Sequence, residues 1–150
     1  MHQNRRTVFK PILLMLVLAA FAFFTAGAAL AKGNGPGLRV TVKISPELRA
    51  RTNPEQVVFV FAKAVRGPRA PLAAVRAQVK NLPFTVTLDD SRALTPMFKL
   101  SRFKDVRVSA RISRSGQARK GSGDLEGLSP AITLGRDNTP VTVTIDHVVP

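Results

Sequence analysis

Chemistry in this 150-residue chain has few places to reside. Cysteine is absent, which removes thiol nucleophiles, CxxC redox centres, disulfides and covalent haem attachment to the protein itself. The acidic pair Asp89-Asp90 has the residue types for acid–base catalysis or metal binding. Adjacent side chains on an extended chain point to opposite faces, so the pair reads as a strand-ending turn in which Asp or Ser91 caps a short helical turn. Asp124 and Glu126 can share a face, but no third ligand or EF-hand spacing accompanies them, and they read as loop residues. His147 and Met97 are the sole histidine and methionine beyond the amino-terminal segment, and together they are the residue types of an axial haem pair. Against that use, Met97 is expected to pack among Phe98 and Phe103, and His147 to lie near a frayed terminus. A single histidine so placed does not build a Ser-His-acid triad, and no glycine-rich phosphate loop leads from a strand into a helix. These residues predict no enzyme, no cofactor and no metal.

Cationic groups are abundant instead. Lysine and arginine number 23 against 9 acidic residues, a formal charge of +14. Arg39 and Lys43 alternate outward on one expected strand, Arg107 and Arg111 on another, and Arg114, Arg119 and Lys120 crowd a glycine-rich loop. If the two strands are neighbours, a basic sheet face results. With neither Tyr nor Trp to stack bases, and with export expected, nucleic acid is not the partner. Anionic lipid headgroups or an acidic protein surface fit the charge, and so does a plain solvated basic surface.

The elements that must position these groups are strands. Leu38, Val40, Val42 and Ile44 alternate with Arg39, Thr41 and Lys43, so one face of this segment enters a core. Gln56–Val65 is apolar on both parities, as in a central strand covered on both sides. Leu72–Val79, Phe84–Leu88, Val106–Ile112, Ala131–Leu134 and Val141–Ile145 supply the remaining strands, separated by Gly and Pro breaks. Between Leu88 and Lys104, the residues Leu94, Met97, Phe98, Leu100 and Phe103 are too apolar to hang free and are expected to fold over an open end of the core. The pattern predicts a small antiparallel, Ig-like β-sandwich of six or seven strands, about 110 residues in size, which can hold a core without disulfides. The missing Cys and Trp argue against the antibody type but not against the architecture.

Upstream, Arg5, Arg6 and Lys10 precede an uncharged run from Pro11 to Ala31 that ends in small residues. This reads as a secretory signal cleaved before Lys32, with an uncleaved membrane anchor as the competing reading. The adjacent arginines read as a basic n-region rather than a twin-arginine signal. Residues 32–37 are a glycine-rich linker, the folded domain is expected over 38–147, and removal of the leader leaves 20 basic and 9 acidic residues. Either fate of residues 11–31 exports the remainder, as a soluble protein or one tethered to the inner membrane.

Several short motifs occur in a recognisable order: LPFTVTLDDS at Leu82–Ser91, a Met-bearing segment, KLSRF at Lys99–Phe103, VRVSARISRSGQA at Val106–Ala118, and GDLEG at Gly123–Gly127. VFVFAKA at Val58–Ala64, the Pro71-Leu72-Ala73 step and VTVTID at Val141–Asp146 extend the series. Together they resemble the C-terminal periplasmic domain of the cytochrome c-type biogenesis family CycH, also called CcmI. The resemblance implies periplasmic cytochrome c maturation, with maturation components or apocytochrome c as partners and a chaperone-like role. Family members carry tetratricopeptide repeats that are associated with apocytochrome binding, and the sequence in hand has none. The expectation is therefore a stand-alone, non-enzymatic accessory subunit that docks through a sheet edge or its basic face. The rival expectation is an exported basic sandwich that binds anionic lipid or polyanion at the envelope and has no part in haem proteins.

Overall fold

The structure, a computed structural model, describes residues 37–135 and 140–150. The signal or anchor expected at residues 1–31, and the linker up to residue 36, lie outside the described residues. Among those described, no helix is long and apolar enough to cross a membrane.

The described residues form nine strands in chain order: β1 Leu38–Ile44, β2 Val57–Ala64, β3 Ala73–Gln78, β4 Phe84–Leu88, β5 Asp105–Ser113, β6 Leu125–Leu128, β7 Ile132–Thr133, β8 Val141–Ile145 and β9 His147–Val148. The one α-helix among the described residues, α1 Pro46–Arg49, is a single turn with Pro at its first position, and it buries Leu48. A small sheet has the order β4-β1-β8, and a larger one β3-β2-β5-β6-β9, with β7 also paired to β5. All pairings are antiparallel but that of β1 with β8, which is parallel and aligns Val40 with Val141 and Ile44 with Ile145. The strand count exceeds the expected six or seven because β6 and the two-residue β9 join the larger sheet.

Alternation decides which side chains meet between the sheets. Val40 and Val42 of β1, Val58, Val60 and Ala62 of β2, Val106, Val108 and Ala110 of β5, and Val143 and Ile145 of β8 are all buried. Each Val or Ile among them contributes about 1.5–3 kcal/mol by leaving water. β2 is buried along Val57–Ala62 on both faces, as its unbroken apolar run predicts. Leu100 is fully buried, and Phe98 and Phe103 pack against the core, so part of the 89–104 connection does close the core as expected. Its capping also matches: the Asp89 carboxylate accepts from the Ser91 backbone N–H at 2.9 Å.

Registers define two ends. β1 begins beside Leu88 and finishes beside Ile145. At the Leu38 end, the 65–72 and 89–104 connections meet. Ala93 pairs with Ala73, which itself pairs with Ala62 near the finish of β2. Asp90 accepts from the Ser101 backbone N–H at 2.9 Å and from its hydroxyl at 2.6 Å. Burial alone would raise the Asp90 carboxyl, but these Ser101 bonds, with the charge of Lys99, hold it below its ordinary value. The Ile44 end gathers α1, the start of β2, the 114–124 loop and β9.

The sheets touch most closely where β6 passes β8. A Cβ on Gly127 would lie 2.0 Å from the Thr144 carbonyl oxygen, so the closure of this corner requires a residue with no side chain. From there the chain steps across: the Asp146 N–H donates to the Glu126 carbonyl at 3.3 Å, and β9 adds to the edge of the larger sheet.

Candidate interaction faces

Strand parity and register carry one row of side chains across the outer face of the larger sheet. Phe59 faces Arg76 on β3 and Arg111 on β5, Arg111 faces Glu126 on β6, and Glu126 faces His147 on β9. The rings of Phe59 and Phe61 stack at 5.8 Å between centroids. The Arg76 guanidinium lies 6.0 Å from the Phe59 ring, and that of Arg111 lies 5.5 Å from Phe61. The ring quadrupoles attract both cations. With Val57, the two phenylalanines form a second apolar cluster on this face.

Arg111 corrects the sequence reading. Its outward parity predicts a solvated cation, yet it is 4% exposed. The 114–124 loop folds back over it: Nη2 donates to the Ala118 carbonyl, and Nε lies 3.3 Å from Asp124 Oδ2. Asp124 in turn accepts from the backbone N–H groups of Arg114 at 2.9 Å and Gly121 at 3.0 Å. Glu126 is also buried. It accepts from the Ser109 hydroxyl at 2.9 Å and from Lys120, and it stands 3.7 Å from His147 Nε2. Burial by itself would raise the Glu126 carboxyl, but the bonds from Lys120 and Ser109 and the charges of Lys120 and Arg111 outweigh it and hold the group below its ordinary range. Asp124 and Glu126, expected as loop residues, are the anchors of a buried ionic cluster. The signal that would have found Glu126 is parity, since Leu125 and Gly127 turn inward and leave it facing outward.

The basic face is two faces. β1 pairs with β4 and β8, whereas β5 pairs with β2, β6 and β7, so Arg39 and Lys43 lie on the opposite side of the sandwich from Arg107 and Arg111. Arg39 and Lys43 stand among Thr41, Thr85, Thr87, Thr142 and Thr144, their same-face neighbours. Arg107 is exposed and directly opposite exposed Lys63, a like-charge pair on neighbouring strands. Arg114 and Arg119 are exposed on the loop, and Lys120 is bound to Glu126.

Met97 and His147 are not brought together. Met97 is 70% exposed at the Leu38 end rather than packed among Phe98 and Phe103, because Leu100 takes the core position in that connection. His147 belongs to the Ile44 end. It is part of paired strand β9, not a frayed terminus, and Val149 beyond it is buried. The length of β1 separates the ends by about 20 Å, too far for two ligands of one iron. Among the described residues no group of three or more His, Cys, Asp or Glu is placed to hold a metal ion. The surface offers open clefts, one of about 440 Å³ lined by Val65, Arg66, Phe103, Lys104, Asp105 and Ala131.

Comparison with known proteins places this architecture. The cytochrome c-type biogenesis protein CycH of Pseudomonas aeruginosa is 45% identical over 87 residues, covering 58% of this chain and 21% of that protein. The matched stretch thus spans about a fifth of the relative's length. No solved structure matches. A family model described as the cytochrome c-type biogenesis protein H Ig-like domain matches residues 38–146, from the first residue of β1 to the residue before β9. The chain belongs to that Ig-like domain family of cytochrome c-type biogenesis protein H.

Proposed function

We propose that this protein is a non-enzymatic accessory factor of cytochrome c maturation, acting in the periplasm through contact with maturation components or apocytochrome c. The observation that carries the reading is the family match over 38–146, because it covers nearly the whole sandwich rather than one motif. In this reading residues 1–31 export the chain as a signal peptide or membrane anchor, 32–37 link, and 38–147 fold and bind. The outer face of the larger sheet supports binding by contact. Its ionic cluster holds the 114–124 loop in one conformation, so Arg114 and Arg119 are presented to an acidic partner with little further ordering on association.

Deletion of the gene followed by haem staining of membrane and periplasmic c-type cytochromes tests the role. Loss of staining, restored by the intact protein but not by an Arg114→Glu, Arg119→Glu variant of equal abundance, is the expected result. Normal staining in the deletion strain overturns it.

A further inference from the structure

We propose that the Leu38 end of the sandwich seats on the anionic surface of a lipid bilayer, with Val65, Leu94 and Met97 entering the headgroup layer and Arg66, Lys99 and Lys104 lying against lipid phosphates. The proposal rests on the membrane-anchor reading of residues 1–31 and is independent of any role in maturation.

Single exposed apolar residues are ordinary on a protein surface, but the three at this end are heavily exposed. Val65 is 42% exposed, Leu94 57% and Met97 70%, and they project from the two connections that meet there. Neither connection is loose. Asp90 clamps the 89–104 segment through both polar groups of Ser101, and Arg102 donates to the Met97 carbonyl. Phe103 lies against Gly67 of the 65–72 connection, where a Cβ would come within 3.1 Å of its ring. The apolar side chains are thus held outward by a fixed backbone and are not released from a poorly packed loop.

Among the described residues, Arg66, Lys99 and Lys104 form no ion pair. Arg66 and Lys104 line the 440 Å³ cleft beside Val65, and the carboxylate in that cleft, Asp105, accepts from the Thr133 hydroxyl at 2.7 Å. Close by, Lys63 and Arg107 stand directly opposite each other, a pairing that disfavours the isolated sheet and is relieved by an anion. Cations surrounding projecting apolar side chains complement a surface that is negative outside and apolar beneath.

The position of the chain's entry selects lipid over an acidic protein. Gly37 lies at this same end, where a Cβ would be 3.0 Å from Thr87 and 3.8 Å from Asp89. Upstream of the six residues 32–37 is the uncharged run 11–31. Six residues reach at most about 20 Å, so a run embedded in lipid keeps this end beside the bilayer.

Because the chain has no cysteine, Met97→Cys and Glu47→Cys each give one labelling site, at the Leu38 and Ile44 ends respectively. The full chain, labelled with an environment-sensitive fluorophore, is reconstituted into vesicles of phosphatidylcholine with phosphatidylglycerol, or of phosphatidylcholine alone. The expected result is blue-shifted emission and quenching by brominated lipid at position 97 on the anionic vesicles, with neither at position 47. Each cation lost weakens surface attachment about fivefold, so Arg66→Glu with Lys104→Glu reduces it about 30-fold or more while leaving the amino-terminal segment in place. A probe at 97 that stays water-like, quenching shared equally by both positions, or quenching unchanged by the double reversal or by removal of phosphatidylglycerol overturns the proposal. So does a probe that ignores vesicles but responds to polyglutamate, which assigns this end to an acidic protein. Haem staining in the deletion strain decides the maturation role separately.

Discussion

Asp124→Ala, set beside Arg111→Met, tests whether the ionic cluster works as an anchor for the 114–124 loop. Asp124 is 2% exposed, accepts from the Arg114 and Gly121 backbone N–H groups, and forms an ion pair with the Arg111 guanidinium at 3.3 Å. Removing its carboxylate leaves the buried guanidinium with only the Ala118 carbonyl and the charge of Glu126, which costs about 3–5 kcal/mol. The two backbone donors lie on a loop that water can reach, and they add roughly 1 kcal/mol. Arg111→Met is gentler. Asp124 keeps both N–H bonds, and the methionine packs on Phe61 in place of the guanidinium, so the loss is about 1–2 kcal/mol. At about 4 °C per kcal/mol for a domain of this size, Asp124→Ala lowers Tm by about 16–24 °C and Arg111→Met by about 4–8 °C. Urea titration gives the same ranking through midpoints at an unchanged slope. An Arg111→Met variant as unstable as Asp124→Ala, or an Asp124→Ala variant within about 1 kcal/mol of the parent, would refute the anchoring role.

Gly127→Ala drives a Cβ into the Thr144 carbonyl and costs at least about 3 kcal/mol, seen as lost soluble yield and a collapsed Tm, whereas Gly121→Ala, whose nearest contact would be 3.9 Å, shifts Tm by less than about 3 °C. Acid sensitivity follows from Glu126. Its depressed carboxyl contributes stability that is complete above the ordinary value of 4.5 and is lost as pH falls through the lower folded value, so Tm measured from pH 6 to 3 drops in that window. Lys120→Met removes the first bond opposing the effect of burial and flattens this drop, and Ser101→Ala, which keeps the backbone N–H bond to Asp90, reduces the part due to Asp90. Met97→Ala changes stability by less than about 0.5 kcal/mol in a thermal melt, where packing among Phe98 and Phe103 would make the loss about 2 kcal/mol or more.

Most of the fold was legible in alternation. The inward residues of β1, β4, β5 and β8 and the doubly covered β2 all follow from periods of apolar side chains, since period two survives any tertiary context in which one face is buried. β6 escaped because Leu125-Glu126-Gly127-Leu128 carries a glycine where a strand interior disfavours it, and the reason for that glycine, the Thr144 carbonyl, is remote in sequence. Parity gives the direction of Arg111 but not whether a loop will cover it, because covering depends on Asp124, which is remote along the chain and reaches Arg111 only when the loop closes. Nor does parity reveal which sheet a strand joins. Arg39 and Arg107 have the same outward pattern and lie on opposite sides of the molecule.

The placement of the carboxylates explains why so basic a protein leaves so many cations unpaired. With 9 acidic residues against 23 basic ones, neutralisation by contact would be incomplete in any arrangement, but this one goes further. Asp89, Asp90 and Asp105 accept from Ser91, Ser101 and Thr133, where they close turns and fix connections at the Leu38 end instead of meeting lysine or arginine. Among the described residues, carboxylate ion pairs with lysine or arginine form at Lys80, Arg111 and Lys120, all towards the Ile44 end. The two ends therefore use the same residue types for different purposes. At the Ile44 end the charges are matched and rigidify the loop that carries Arg114 and Arg119. At the Leu38 end the acids are engaged by hydroxyls, and Arg66, Lys99 and Lys104 remain available beside exposed Val65 and Met97. Exchanging Ser101 for alanine weakens the hold on Asp90 and leaves its carboxylate freer to meet Lys99, so this change reduces vesicle attachment without removing a single cation. Brominated-lipid quenching of a probe at position 97 in Ser101→Ala beside Lys99→Ala measures that directly, and quenching equal to the parent in Ser101→Ala but reduced in Lys99→Ala shows that Asp90 does not compete for the cation.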